Sequence, residues 1–550
     1  MIKRTITALL VIASFIGCKK KDNSHPTVVI PYKPNSQHIS VLTQHNNLSR
    51  AGLNNQETAL NVSNVNTSKF GKLFSLAVDA QVYSQPLVVA NLQLASEVRN
   101  VVYIATVNNS IYAYDGDTGY LFWKKNYTAP GMRAPLNSDM TGACGGQYQD
   151  FSGQMGIVGT PVIDSVSQTI YFVARNTNGN TFIQYLHAVN ILDGSERPGS
   201  PVAITASVPG NGDGSSNNVV SFDPQRNNQR AALTLLNGVV YVTFSSHCDW
   251  GPDHGWILGY NASTLQQQLV YNDTPNGGDG GIWESGTGMA ADAQGNLYVV
   301  IGNGTVGANG DPTNLINRGE SALKLSPSSN SLTISSYFTP TNFQFLEDND
   351  LDYGTMGSFL IPNSNYYFTS CKDGNIYLLN KNNMGGYNNV SNQVQQIITL
   401  SSLSNMHCQP AYGVGPNYEN VYIWPENDRL QAFPFDRGTN TFDIANEKVS
   451  GVAGPNGQNG AMISVSSNGN VAGSGIVWAA YAATGDAEHT VSPGILRAFD
   501  ASDITKEIWN NSTSSADFSG NYAKFASPTI ANGKVYLATF SNQVVVYGLK

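Results

Sequence analysis

From residue 85 to the C-terminus, short runs of apolar and aromatic residues alternate with polar turns, and the pattern repeats. The last copy shows the unit most plainly: Ser527-Pro528-Thr529-Ile530, the Asn532-Gly533 turn, Val535 to Thr539, the Ser541-Asn542 turn, then Val544 to Tyr547. Turn dipeptides of this kind between β-branched runs predict tight hairpins, so the unit reads as three antiparallel strands. Matching units begin near Gln85-Pro86, Thr160-Pro161, Arg230-Ala231, Ser285-Gly286, Met356-Gly357, Gln409-Pro410, Ala461-Met462 and Ser527-Pro528. Each has an apolar central strand, from Val101 to Ala105 in the first to Val535 to Thr539 in the eighth. A spacing of about 40 to 60 residues suits four-stranded propeller blades with their loops.

The last unit stops one strand short. Phe70 to Leu76 precedes the first full unit, alternates as a strand should, and is the natural donor; pairing it with the last unit closes the ring and hides two sheet edges. The expected fold is therefore all-β, an eight-bladed propeller over residues 41–550, with seven blades as the alternative. Composition agrees: of 550 residues only 12% are charged, while Gly reaches 54 and Tyr 27. A net charge of −9 argues against nucleic-acid binding.

At the N-terminus Lys3 and Arg4 precede an apolar stretch from Ile6 to Gly17 and then Cys18. The stretch is too short for a membrane anchor and resembles a lipoprotein signal over residues 1–17, with Cys18 as the lipidated first residue of the mature chain. Residues 18–40 read as a flexible tether. This predicts a membrane-tethered, extracytoplasmic monomer of the cell envelope. Four cysteines remain, Cys144, Cys248, Cys371 and Cys408, enough for two disulfides in three possible pairings and without C-x-x-C spacing.

Ala113-Tyr114-Asp115-Gly116-Asp117-Thr118-Gly119 followed by Trp123 has the A-x-D-x-x-x-G-x-x-x-W form of the pyrroloquinoline-quinone (PQQ) repeat, and the chain resembles quinoprotein alcohol-dehydrogenase-like propellers from about residue 42 to 549. Ala188 to Gly194 keeps a version with Asn190 for Asp, and Ala498 to Trp509 one with the Trp displaced by one. Phe70 to Phe74, Gly159 to Asp164, Ser246 to Asp249 and Gly302-Asn303-Gly304 resemble a group of extracytoplasmic PQQ-like propellers described by fold. The resemblance implies that the repeat Trp docks between blades, and that PQQ and calcium are possible cofactors. Against an enzyme of that kind, the adjacent Cys-Cys pair and a C-x-x-C-H haem motif are both absent.

In a propeller, the loop leading into each innermost strand and the loop joining the second and third strands share one face, so the default pocket is the channel mouth there. Cys144 and Cys248 should meet on adjacent blades, and by the same reasoning Cys371 with Cys408. His247, Asp249 and His254, with Trp250 and Trp256, could bind a metal or a planar ligand, or could simply brace a hairpin loop. Asp348, Asp350 and Asp352 suggest calcium, although Phe359 stands where a calcium loop requires Glu and a capped turn is the alternative. Gly277 to Gly286 should bring Trp283 and Glu284 near the mouth, with Glu426 on a sixth-unit loop. Gln85, Thr160, Arg230, Ser285, Gln409 and Ser527 should ring the funnel. Arg230 suits an anionic ligand such as a carboxylated quinone or an acidic sugar, unless it pairs with Asp223 or another carboxylate.

Two functions follow. The first is a lipid-anchored binding or scaffold propeller presenting its mouth to a small molecule, glycan or protein. The alternative is a PQQ- and calcium-dependent dehydrogenase of alcohols or sugars.

Overall fold

A computed structural model describes residue 35 and residues 37–400, 406–454 and 457–550. The expected signal segment, Cys18 and nearly all of the tether lie outside these residues. Among the described residues no helix is long and apolar enough to cross a membrane.

Eight sheets of antiparallel strands follow one another in chain order as blades; the seventh also takes Leu53–Asn54 as a parallel strand, and Ser207–Pro209 with Val219–Ser221 forms a separate two-stranded ribbon. Blade one comprises Leu87–Gln93, Val98–Ala105, Ser110–Asp115 and Leu121–Asn126, and the blades continue in the same manner through blade seven, Met462–Ser466, Ile476–Ala482, Gly494–Asp500 and Glu507–Asn510. Blade eight supplies Thr529–Ala531, Lys534–Ala538 and Gln543–Leu549, and Phe70–Ala77 adds the fourth, outermost strand, from Phe70 opposite Leu549 to Ala77 opposite Gln543. Eight blades and N-terminal closure are thus as the turn pattern predicts.

Sheet faces bury against neighbouring sheets, which is why the central strands are apolar on both sides. The hydrophobic clusters lie between blades: Leu87, Val101, Ile163 and Phe172 join blades one and two, and Trp478, Trp509, Val544 and Val102 join blades seven, eight and one. Phe70 seats the closing strand there, its ring 5.0 Å from Trp509 and 5.5 Å from Trp478. The repeat residues act as the resemblance implies: Asp115 caps its turn by accepting from the amides of Asp117 (2.7 Å) and Thr118 (3.1 Å), and Trp123 Nε1 donates to Ile191 O of blade two (3.0 Å).

One element escaped the sequence reading. Residues 41–54 form a strap that bonds to the inner part of every blade. Val41 N donates to Val88 O (2.8 Å) of blade one and Ile163 N of blade two to Leu42 O (2.9 Å). Ala291 N of blade four donates to Leu48 O (2.7 Å), Leu360 N of blade five to Ser49 O (2.9 Å), Tyr412 N of blade six to Ala51 O (2.8 Å) and Val465 N of blade seven to Gly52 O (2.8 Å). Asn54 Nδ2 donates to Ile530 O of blade eight (2.9 Å), and the Arg50 guanidinium reaches Leu233 O and Thr234 of blade three. Gly52 is required where the strap turns: its φ is +67°, and a Cβ would lie 2.9 Å from that of Ala411.

Candidate functional site

Much of the expected funnel is filled with protein. Gln85 N donates to Thr160 Oγ1 (2.9 Å), Gln85 Oε1 accepts from His45 N (3.0 Å) and Gln85 Nε2 donates to Thr529 Oγ1 (3.0 Å). Ser285 Oγ donates to Thr355 O (2.7 Å), Gln409 Nε2 donates to Phe525 O (3.0 Å), and Ser527 bonds His45 Nε2 (2.9 Å) and Gln409. Gln85, Thr160, Ser285, Gln409 and Ser527 are therefore a buried belt tying blades to one another and to the strap. Their assignment to a ligand-facing ring is corrected, because these buried polar groups near the axis bond one another instead of facing an opening.

Two further expectations change for the same reason. Glu284 is fully buried, accepts from Val300 N (3.0 Å) and Ser358 Oγ (2.9 Å), and burial raises its carboxyl to about 8. His247 accepts at Nε2 from Arg175 (3.0 Å), a group that can only donate, so in the neutral ring Nδ1–H faces Tyr148 Oη (2.8 Å). Burial, then the Arg175 charge, pulls the imidazole well below its ordinary value and keeps it neutral. His254 bonds Thr274 Oγ1 and Asp213 O, both at 2.9 Å. Both histidines brace the loop, and neither lines the mouth.

The mouth itself is a cavity of about 340 Å³, walled by the Cys144–Cys248 disulfide, Asp249, Arg230, Trp283, Phe525, Asp350, Asp352, Lys372 and His407, with Asp150, Glu488 and His489 at its edge. The disulfide joins the loops of blades two and three, as the shared-face argument predicts. The second predicted bridge is absent: Cys371 and Cys408 are buried free thiols. Cys371 packs with Tyr353, Tyr377 and Met384 and donates to Leu351 O (3.0 Å), while Cys408 belongs to a separate cluster with Trp424 and Tyr422. Lying on one face is a necessary condition for pairing, and here interblade packing claims each thiol separately.

Arg230 crosses the floor between two rings, its guanidinium carbon 4.3 Å from the Phe525 centroid and 4.8 Å from that of Trp283. Asp223, its expected partner, pairs instead with Arg226 at 3.3 Å. Among the described residues no carboxylate forms a salt bridge with Arg230, its Nε has no hydrogen-bond partner, and one donation, to Trp283 O (3.2 Å), is all that its tip makes. Loss of surrounding water draws its pKa down to about 10.

The three aspartates do not converge. Asp348 ends a short helix, Phe343–Asp348, and accepts from Gln344 Nε2 (2.9 Å). Lys372 Nζ instead bridges Asp350 (2.9 Å) and Asp352 (2.6 Å). Burial pushes Asp352 up, but Lys372 outweighs it and holds the carboxyl below its ordinary range. A three-aspartate calcium loop is therefore corrected to a lysine-bridged pair. Asp249 opens into the recess; enclosure first, then the charges of Asp352, Asp253 and Asp350, raise its carboxyl well above the usual value. Glu426 lies behind the wall and bonds His407 Nδ1 (2.7 Å).

Lys372, His407, Asp150, Glu488, His489 and Phe525 were not singled out from the sequence. All stand on loops of the face that the two-loop rule selects, so applying that rule to every blade would have found them; Lys372-Asp373-Gly374 passed as an ordinary turn.

The sequence matches no protein-family model and no curated protein. Solved structures share the fold. A quinohemoprotein alcohol dehydrogenase from Pseudomonas putida HK5 aligns with a TM-score of 0.58 at 13% identity, covering 93% of this chain and 80% of the other. The quinohemoprotein alcohol dehydrogenase from Comamonas testosteroni gives 0.53 at 13%, with the same coverages. A europium-containing methanol dehydrogenase gives 0.57 at 11%, covering 94% of this chain and 99% of that one. The chain has the quinoprotein-type propeller fold.

Proposed function

We propose that the protein binds a small, planar polyanion in the mouth of its propeller. The observation that carries this reading is Arg230: among the described residues its guanidinium has an orphaned Nε and no carboxylate in salt-bridge contact, and it lies against two aromatic rings and opens into a cavity. The carboxylates of Asp150, Glu488 and Asp352 act on this cation at a distance, and a ligand anion would supply the direct charged contact. Trp283 offers an indole edge beside the guanidinium, while Lys372 is already neutralised by Asp350 and Asp352. Lipid anchoring through Cys18, and with it a cell-envelope location, belongs to the same proposal and rests on the charged-apolar-Cys order of the first eighteen residues.

PQQ, planar and rich in carboxylates, meets this description. Arg230 would hold one of its carboxylates and Trp283 would flank its ring. For calcium the residues present do not fit: the Lys372 ammonium already bridges Asp350 (2.9 Å) and Asp352 (2.6 Å), and enclosure with neighbouring carboxylates raises Asp249 well above the usual carboxylate range, towards its protonated form. The fit of the planar polyanion alone leaves a second reading, the alcohol or sugar dehydrogenase. When bound, PQQ supplies the two-electron oxidant. This chain's own part would be to orient the anion through Arg230 and to exclude water with the disulfide and Phe525; Asp352, held below its ordinary range by Lys372 and bonded at both oxygens, is too weak a base to take a substrate hydroxyl proton.

The test is calorimetric titration of the purified protein with PQQ and with planar polycarboxylates, with and without calcium, alongside dye-linked oxidation of alcohols and sugars. Saturable binding without turnover supports the binding reading, and binding with turnover the dehydrogenase. If none of these anions binds at high micromolar concentration, both readings fall.

A further inference from the structure

At the edge of the mouth, the loop leading into blade two meets the loop joining the second and third strands of blade seven. Asp150 comes from the first; Glu488 and His489 come from the second. One donor atom from each of the three lies within 4.8 Å of the other two. His489 Nε2 stands 3.4 Å from Asp150 Oδ1, while the other ring nitrogen, Nδ1, stands 3.8 Å from Glu488 Oε2, so one of these two contacts, not both, belongs to a single ion. Among the described residues none of these three side chains makes a hydrogen bond, although each has polar atoms within ion-pair range of the next.

Donor groups left to themselves close to about 2.7–2.9 Å when they bond directly. Donors sharing a tetrahedral metal at about 2.0–2.2 Å stand roughly 3.3–3.5 Å apart instead. The Asp150–His489 separation accommodates the second arrangement, a spacing that plain ion pairs such as Arg226–Asp223 (3.3 Å) also take, so the case rests on the convergence of three donors. Charge points the same way, since Asp486 lies 3.5 Å from His489 Nδ1 and adds a third carboxylate to the group.

The loops are also held in place independently of any ion. Lys524, buried on the loop before blade eight, donates to Asp150 O (2.5 Å) and to Glu488 O. Its ammonium thus uses backbone carbonyls from two blades and leaves the carboxylates free. Burial draws it down to about 8, with Asp150 and Glu488 partly opposing that shift.

We infer that Asp150, Glu488 and His489 form a site for one divalent first-row metal ion, of the zinc class, bridging blades two and seven. One imidazole and two carboxylates suit such an ion; calcium, which takes six to eight oxygens, is a poor match for a set containing nitrogen. Three protein donors leave a fourth position, filled by water, on the cavity side. The site shares no ligand with the Arg230 subsite, so it stands or falls independently of the polyanion reading.

The experiment is zinc titration by calorimetry on the purified full-length protein, stripped with chelator and dialysed, in the absence of any organic anion. A cobalt titration followed by visible absorption reports the donor geometry. One equivalent should bind saturably, with a tetrahedral cobalt band. His489→Gln and Asp150→Asn should each weaken zinc binding about tenfold or more while leaving the circular-dichroism melt in place, and Arg230→Met, which removes a cation that interacts with Asp150 and Glu488, should not weaken it. Absence of a saturable equivalent, or affinity unaltered in both ligand variants, overturns the assignment. Loss of zinc affinity in Arg230→Met would overturn the independence of the two sites.

Discussion

Two arginines lie in the middle of this propeller, and their surroundings could hardly differ more. Arg50, on the strap, is fully buried and donates to Met289 O (3.2 Å), Thr43 Oγ1 (2.7 Å), Gln44 O (2.9 Å), Leu233 O (3.2 Å) and Thr234 Oγ1 (2.8 Å). Arg230, at the mouth, makes one hydrogen bond among the described residues and faces a cavity. Loss of water draws both to about 10. The difference lies in what replaces that water. At the strap the protein supplies every partner, so the charge is a structural fastener; at the mouth it supplies rings above and below and leaves the polar edge unmatched. A buried cation is informative about function only after its hydrogen bonds are counted.

Breaking the strap should have the largest effect. Arg50→Met removes the donor from carbonyls of the strap and of blades three and four, and each buried acceptor left without a partner costs about 1–3 kcal/mol. We expect a loss of about 4 kcal/mol in urea unfolding, with mouth binding preserved in the fraction that remains folded. A loss below 1 kcal/mol would show that water replaces the guanidinium, and that the strap is not the fastener described.

The mouth is secured differently, by a covalent link. Cys144 and Cys248 are 104 residues apart, and removing their bridge with Cys248→Ser should cost about 3 kcal/mol. Peptide mapping without reductant should find this bridge alone among the four body cysteines, with Cys371 and Cys408 alkylated only after unfolding. Recovery of a Cys371–Cys408 peptide would contradict the separate packing of these two thiols.

At Arg230 the comparison inverts. Arg230→Met removes a poorly partnered cation and fills its place between two rings, so stability should shift by less than about 1 kcal/mol. Affinity for a planar polyanion should nevertheless fall about 10- to 100-fold, the value of one charged hydrogen-bonded contact. Equal affinity in the variant and the native protein would remove Arg230 from the site.

The contrast also explains what the sequence disclosed. Blades were legible because Asn532-Gly533 and its counterparts fix hairpins locally and because each central strand is apolar on both faces. The Cys144–Cys248 bridge followed from topology alone. The strap was not legible: Val41 to Asn54 has neither strand alternation nor helical period, because most of its bonds run through backbone atoms to eight separate sheets. Lys372, His489 and the polar belt were missed or misplaced for a related reason. Whether Gln85 faces solvent or Thr160 depends on how tightly eight inner strands approach the axis, which no local pattern encodes.

The smallest effect should come from the crowd of acids beside the mouth. Asp253 is buried on the blade-three loop with both carboxylate oxygens lacking a donor, and burial, then the charge of Asp279, raises it from 3.8 to about 7. Below pH 3.8 the folded and unfolded chains both hold this proton. Between 3.8 and 7 only the folded chain keeps it, so its contribution to stability falls as pH rises, and above 7 the loss is complete. Three pKa units at 1.36 kcal/mol each set a ceiling of about 4 kcal/mol, and sharing the proton with Asp279 reduces what one site can show to about 1 kcal/mol. Asp253→Asn cannot ionise. Its stability should therefore decline less than the native protein's between pH 5 and 8, leaving it the more stable of the two by about 1 kcal/mol at pH 8, while Arg50→Met should keep the native slope. Parallel urea-unfolding profiles for Asp253→Asn and the native protein would mean that Asp253 is ionised across this range, and that the mouth tolerates its negative charge as easily as the strap tolerates Arg50.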